Sequence, residues 1–252
     1  VVVVVVVIDA IGDYVAEVLK DPNIKILFHK RWPGHLVFHY QFLPLENSEE
    51  REHKSFESGS YDRGEKQISV NNSTVNLKTT YNLPEFDTLS FETELLLHNL
   101  NVVNGKNIDS AVVFHPGQGF IPVALSKVSS VGKIALIDRD LQALRISKRN
   151  LVQNGYSENN VTISHQVGLL GEGSPNANCI LGILSEKDSP EVHAMLMHDA
   201  ATRLSEDGLL IIASNSTAIT RLATLVKSEK LLSIVDRQKV KGRSLLVLKK
   251  RI

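Results

Sequence analysis

Val113-Phe114-His115-Pro116-Gly117-Gln118-Gly119 joins the end of an apolar run, Ser110 to Phe114, to an apolar helical pattern from Phe120 to Val128. Two glycines between a strand and a helix let the backbone turn sharply and pass close to a ligand. In open α/β sheets ligands bind beyond the carboxyl ends of the strands, so this heptapeptide is the first candidate for a site. Gly-x-Gly alone is a common strand-to-helix turn, and it gains weight from the end of the next strand. That strand, Lys133 to Ile137, runs into Asp138-Arg139-Asp140. Asp138 stands about 20 residues past the glycines, where a carboxylate offers two oxygens to the two hydroxyls of a nucleoside ribose. Asp140 fits the cap of the next helix.

Outward from this pair of strand ends the pattern is regular. A helix over Asp140 to Asn154 is followed by strands at Val161 to Ser164 and Cys179 to Leu184. A helix from Pro190 to Leu204, a strand Leu209 to Ala213 and a helix Thr217 to Ser228 come next. Strands alternating with helices predict a parallel sheet covered on both faces. The last two strands, Leu231 to Arg237 and Ser244 to Leu248, are joined by the short turn Lys241-Gly242-Arg243. A parallel crossover needs about a dozen residues, so this pair is antiparallel. A mostly parallel sheet that ends in one reversed strand differs from a plain dinucleotide fold. Pro122 also stands where a third fingerprint glycine is wanted, which argues against a nicotinamide-dependent oxidoreductase.

The amino-terminal part reads differently. Ile8 to Leu19 predicts a short helix stopped by Asp21-Pro22-Asn23, and Ile24 to His29 and Leu36 to Phe42 predict strands around Pro33-Gly34. The polar stretch Glu46 to Lys66 reads as a solvated loop, and Gln67 to Leu77 as a hairpin turning at Asn71-Asn72. Ser90 begins a helix whose apolar residues are Phe91, Leu95, Leu96 and Leu97. The expected organisation is a small α+β region over 1–88 and an α/β domain over 89–252. No internal repeat is visible in the sequence. The opening run Val1 to Val7 lacks a basic flank and is too short for a secretory signal. It reads as a strand or as a stretch whose residue identities carry no information, and nothing rests on it.

Lys+Arg and Asp+Glu number 28 each, so the net charge is zero and the composition is not that of a uniformly basic nucleic-acid binder. The single cysteine, Cys179, excludes an intrachain disulfide and a cysteine metal site and suits a reducing, cytoplasmic setting. No apolar run approaches the ~20 residues that cross a bilayer.

With these residues in place, the sequence resembles the class I S-adenosylmethionine-dependent methyltransferases, and within them the "methyltransferase small" family that includes ribosomal RNA guanine-N2 methyltransferases. The matching stretches are Asp87 to Leu97, His115 to Gly119, Leu136-Ile137-Asp138 with Ala143, Asn150 to Gly155, and Ser205-Glu206-Asp207-Gly208-Leu209-Leu210. The resemblance covers about Thr80 to Ile252. It implies a seven-stranded, mostly parallel sheet with an antiparallel last strand, and S-adenosylmethionine as cofactor. The cofactor-binding residues it implies are His115, Pro116, Gly117, Gln118, Gly119, Asp138, Arg139, Gln166 and Gly182. The sequence departs from the family in three places. The family carries an acid where Val113 or Phe114 stands and a glycine where His115 stands. Its Asn-Pro-Pro-aromatic acceptor motif is replaced by Gly182-Ile183-Leu184-Ser185-Glu186. His165-Gln166 occupies the place of the Gly-Asp that meets adenine, and Gln166 still offers an acceptor oxygen.

The function expected from these observations is methyl transfer from S-adenosylmethionine, with RNA as a possible acceptor and partner. The alternative is a catalytically inactive module with a structural or binding role. Ser185, Glu186 and Asp188 are candidates for holding a different acceptor, with a polar loop capped by Ser189 as the plainer reading. Ser214 to Thr217 either line an acceptor pocket or cap a helix. For RNA, Lys239, Lys241, Arg243, Lys249, Lys250 and Arg251, together with Lys30, Arg31 and Trp32, combine cations with a stacking ring. Solvated surface lysines are the plainer reading.

Overall fold

In the computed structural model, residues 2–43, 59, 61–70, 73–170, 176–185 and 188–251 are described. The chain divides into two compact units, Val1–Ser58 and Gly59–Ile252. No described helix is long and apolar enough to cross a membrane.

The first unit contains β1 (Val2–Ile8), α1 (Asp9–Val18), β2 (Ile24–Trp32) and β3 (His35–Phe42). The sheet order is β1-β3-β2, with β3 antiparallel to both neighbours. Alternation along β3 sends Leu36 and Phe38 into a small core with Leu19, Val15 and Ile24. Most of the expected loop over Glu46 to Lys66 and the Asn71-Asn72 turn lie outside the described residues, but the end of that stretch, from Asp62, is strand rather than loop, because it pairs with the strand that follows.

The second unit opens with the hairpin β4 (Asp62–Val70) and β5 (Ser73–Thr80). It continues through α2 (Phe91–His98), β6 (Asn107–Phe114), α3 (Phe120–Val128), β7 (Ser130–Asp138), α4 (Leu141–Gln153), β8 (Val161–His165) and β9 (Ala177–Ile183). It ends with α5 (Pro190–Arg203), β10 (Leu204–Asn215), α6 (Ser216–Glu229), β11 (Leu232–Val240) and β12 (Arg243–Lys250). The large sheet runs β11-β12-β10-β9-β6-β7-β8. Strands β8, β7, β6, β9 and β10 are parallel, and β12 is antiparallel to both β10 and β11. The reversed strand expected from the short Lys241-Gly242 turn is therefore present.

Both faces of this sheet are covered at its centre, which is why β6, β9, β10 and β12 carry continuous apolar runs rather than alternating. Val113, Leu136, Leu181 and Ile211 pack with Leu96, Leu125 and Leu144 on one side. Val112, Ile137, Ile180 and Ile212 pack with Leu196, Ile219 and Leu222 on the other. Side-chain caps start α2, α4 and α6. The Ser90 Oγ accepts from the Thr93 N–H, Asp140 from Gln142 and Ala143, and Asn215 from Ala218.

The β4–β5 hairpin belongs to this second unit. The Asn150 amide on α4 donates to the Lys78 carbonyl at 2.8 Å and accepts from the Lys78 N–H at 2.9 Å. Arg149 forms a two-pronged pair with Asp62 at 2.9 and 3.2 Å. The boundary expected at Leu89 thus falls inside the second unit.

A repeat that the sequence did not reveal emerges from the topology. β1-α1-β2-β3 has the same strand–helix–strand–strand order as β10-α6-β11-β12, with the last strand inserted between the other two in each case. The register matches as well. Val2 to Ile8 pair with Gln41 to His35, as Leu209 to Asn215 pair with Lys249 to Arg243. A bulge falls between Ile26 and Phe28 in β2 and between Ile234 and Asp236 in β11. Gly34 and Gly242 turn at φ 85° and 80°. Their carbonyls accept from the first helical N–H, Asp9 at 3.2 Å and Ser216 at 3.0 Å.

Candidate functional site

A cleft of about 530 Å³ opens at the carboxyl ends of β6, β7 and β9. His115, Pro116 and Gly117 line it from the loop after β6, and Asp138, Arg139 and Asp140 from the end of β7. Ile183, Leu184 and Ser185 line it after β9, and Glu85, Ser90, Glu92 and Thr93 from the approach to α2. A volume of this size lies in the range of small-molecule sites, roughly 300–1,000 Å³.

The glycine loop has the shape its sequence demands. Gly117 and Gly119 have φ of 55° and 93°, a region that costs other residues about 1–2 kcal/mol. At Gly119 the space is also filled, since a Cβ would stand 2.9 Å from the Ser147 Cα on α4. Ser147 donates to the Gly117 carbonyl at 3.1 Å and fixes the loop to that helix. His115 shares the left-handed conformation, at φ 46°, without being a glycine.

Asp138 is 8% exposed at the tip of β7. Its carboxylate accepts from the Asp140 N–H at 3.0 Å, and its carbonyl accepts from the Gln166 N–H at 3.0 Å. Burial raises its pKa above the ordinary 3.8, against the lowering pull of the Asp140 N–H and of nearby His115, with Asp140 adding to the rise. Arg139 pairs with the half-buried Asp188 at 3.3 Å. Among the described residues, the cleft wall thus carries four carboxylates, Glu85, Glu92, Asp138 and Asp140, and one guanidinium, Arg139. Glu92 is paired with Arg243 of β12. Glu85 accepts from the Ser90 N–H at 2.9 Å and the Thr93 hydroxyl at 2.6 Å.

The structure brings His115, Pro116, Gly117, Asp138 and Arg139 together around this cleft. Gln166 lines a second, smaller hollow next to it. Gln118 is turned into the interior. Its amide donates to the Thr80 and Pro84 carbonyls at 3.0 and 3.1 Å and accepts from the Thr80 N–H at 3.0 Å, so it holds the hairpin to the loop. Gly119 serves the packing on α4. Gly182 lies so close to β6 that a Cβ would stand 2.3 Å from the Phe114 carbonyl oxygen. The stretch in place of the acceptor motif has its carbonyls engaged by side chains. Ile183 faces the His115 Nδ1 at 3.0 Å, Leu184 accepts from Ser214 at 3.0 Å, and Ser185 faces the His193 Nε2 at 3.1 Å. Glu186 lies outside the described residues. Sequence reasoning did not single out Glu85 or Glu92. The Ser90 cap signal placed the helix start beside them, but which carboxylates face the cleft depends on how α2 docks.

A family-level match to the methyltransferase small domain spans residues 76–239, more than half of the chain. The chain belongs to the methyltransferase small domain family. Among solved structures, the T. thermophilus 16S rRNA N2 G1207 methyltransferase RsmC, in complex with AdoMet and guanosine, is similar at a TM-score of 0.64 and 14% identity. That match covers 99% of this chain and 65% of that one, so the chain spans just under two thirds of its length. The ribosomal protein L11 methylase of Lactobacillus delbrueckii subsp. bulgaricus matches at 0.55 and 15% identity, over 64% of this chain and 79% of that one. The precorrin 8w decarboxylase of Methanobacterium thermoautotrophicum matches at 0.52 and 15% identity, over 69% and 96%. At such identities these likenesses show the class I methyltransferase fold. Compared with curated protein sequences, the chain matches none. In this member of the methyltransferase small domain family, the seven-stranded, mostly parallel sheet with its reversed strand is the one the sequence resemblance implied.

Proposed function

We propose that the cleft binds S-adenosylmethionine and that the chain transfers its methyl group to RNA. The observation that carries this reading is the buried Asp138 carboxylate at the tip of β7, facing the same cleft as the left-handed Gly117 turn. When bound, the cofactor supplies an electrophilic methyl group on a sulfonium. Asp138 holds the ribose hydroxyls through its two oxygens. His115, Pro116 and Gly117 bring backbone close to the ligand, and Gly119 lets that loop sit against α4. Arg139 and Gln166 flank the base side. Gln118 and Gly182 act one step back, through the hairpin and the β6–β9 approach. The carboxylates of Glu85, Glu92 and Asp140 favour a cationic ligand over an anionic one.

RNA as acceptor is supported by the rRNA substrate named for RsmC and by the basic tip of the β11–β12 hairpin. There Lys241 lies over the exposed Phe91 ring, 6.0 Å from its centroid. A cation beside an aromatic ring suits a phosphate and a stacked base. Affinity for single-stranded RNA should fall steeply with salt.

A second reading, a binding module without catalysis, is favoured by one observation. The Ile183, Leu184 and Ser185 carbonyls already meet His115, Ser214 and His193, and no amide side chain stands beside them in this stretch to hold an amino group. Calorimetric titration with S-adenosylmethionine and S-adenosylhomocysteine, with Asp138→Ala as control, tests the cofactor reading. Binding lost in the variant supports it, and no binding to either the parent chain or a His115→Gly variant rejects it. Transfer of a labelled methyl group to RNA then separates enzyme from module.

A further inference from the structure

His115, Asp138 and Arg139 line the 530 Å³ cleft and also a second hollow of only about 20 Å³. They are a partition between the two. The smaller hollow has Ile137, Val192 and Leu196 as apolar wall and Gln166 at its edge, a lining suited to a flat base, yet its volume holds about one water. The partition is braced from both ends. The His115 Nδ1 lies 3.0 Å from the Ile183 carbonyl oxygen and ties the end of β6 to the end of β9. The Arg139 guanidinium lies 3.3 Å from the Asp188 carboxylate.

An adenosyl cofactor has its ribose in the middle, with the base on one side and the amino-acid arm on the other. With the ribose at Asp138, as proposed above, base and arm fall on opposite sides of this partition. The partition must give way for the whole molecule to lie down. His115 is its least comfortable member. It holds φ at 46°, where a glycine would carry the same backbone with no strain and no ring.

We infer that His115 is a specificity-determining wedge. Its imidazole, latched to the Ile183 carbonyl, narrows the passage across Asp138 and lowers the affinity of the cleft for adenosyl ligands. This inference rests on the cofactor reading and deepens it.

The test is isothermal titration of S-adenosylhomocysteine into the full chain, its His115→Gly and His115→Asn variants, and Asp138→Ala, with thermal melts to show that each variant folds. Glycine suits the left-handed backbone and asparagine tolerates it, so both keep the loop. The expected result is at least a roughly tenfold tightening in His115→Gly, about 1.4 kcal/mol, with His115→Asn between it and the parent. If His115→Gly binds equally or more weakly while Asp138→Ala still weakens binding, the wedge is overturned and the cofactor site stands. If neither the parent nor His115→Gly binds, both the wedge and the cofactor reading fall.

Discussion

The strand–helix–strand–strand segment over 2–43 and its counterpart over 209–251 share topology, register, bulge and turn, yet they live in different surroundings. In the second, β10 pairs with β9 on one edge and β12 on the other, and helices cover both faces. In the first, among the described residues, β1 pairs with β3 alone and α1 covers one face. Positions Val4 and Ile211 are equivalent by register, but Val4 is 57% exposed and Ile211 is 0% exposed. The backbone pattern of this segment therefore does not require burial on both faces. Its turn, bulge and helix contact are internal to it, while the energy that stabilises it is set by its surroundings.

That contrast predicts its largest difference at the equivalent pair. Ile211→Ala should cost about 2–5 kcal/mol, as large-to-small changes in a core do. Val4→Ala should stay near the ~0.5 kcal/mol typical of a surface change. Urea unfolding of each variant measures both, and a large loss at Val4 would show that its face is covered in solution. The next effect belongs to the second unit alone. Asn150→Ala leaves the Lys78 N–H and the Lys78 and Gln118 carbonyls without their partner, which should cost about 1–3 kcal/mol. Hydrogen exchange should then quicken in β5 and leave β3 unchanged.

A smaller and equal effect is expected where the two segments are alike. Gly34→Ala and Gly242→Ala each force an alanine to positive φ and should each cost about 1–2 kcal/mol. Unequal losses would break the equivalence of the two turns. The smallest expected change is at Asp138. Its pKa is raised by burial, so its relative contribution to stability is present below the ordinary 3.8 and is lost as pH rises through the raised value. Asp138→Asn should therefore melt higher than the parent at neutral pH, and the gain should shrink toward acid. A gain independent of pH would show that the carboxylate's ionisation is not the source of the cost.

Much of the large sheet was legible in the sequence, because a strand buried on both faces is a continuous apolar run with clear turns at its ends. His115 to Gly119 and Asp138 were legible for the same local reason, since each sits where such a run stops. The repeat was hidden because the first segment buries one face and the second buries both, so His39 and Val247 share a place but not a chemistry. The roles of Gln118 and Gly182 were hidden too, because they depend on residues distant in the chain, Thr80 for one and Phe114 for the other. The same distance concealed that the β4–β5 hairpin belongs with the second unit.

Gln118 carries one more consequence, for the order in which the chain folds. It joins the glycine loop to Thr80 across a sequence separation of 38, and Asn150 joins α4 to Lys78 across 72. Contacts of such long range form slowly, because the intervening chain must first lose its freedom in closing the loop. The hairpin should dock only after the parallel strands and α4 have assembled. Because Gln118 sits within the His115 to Gly119 turn, that late docking is also the step at which the loop acquires its final shape. Competence to bind a ligand should therefore appear as a slow kinetic phase, after most of the secondary structure has already formed.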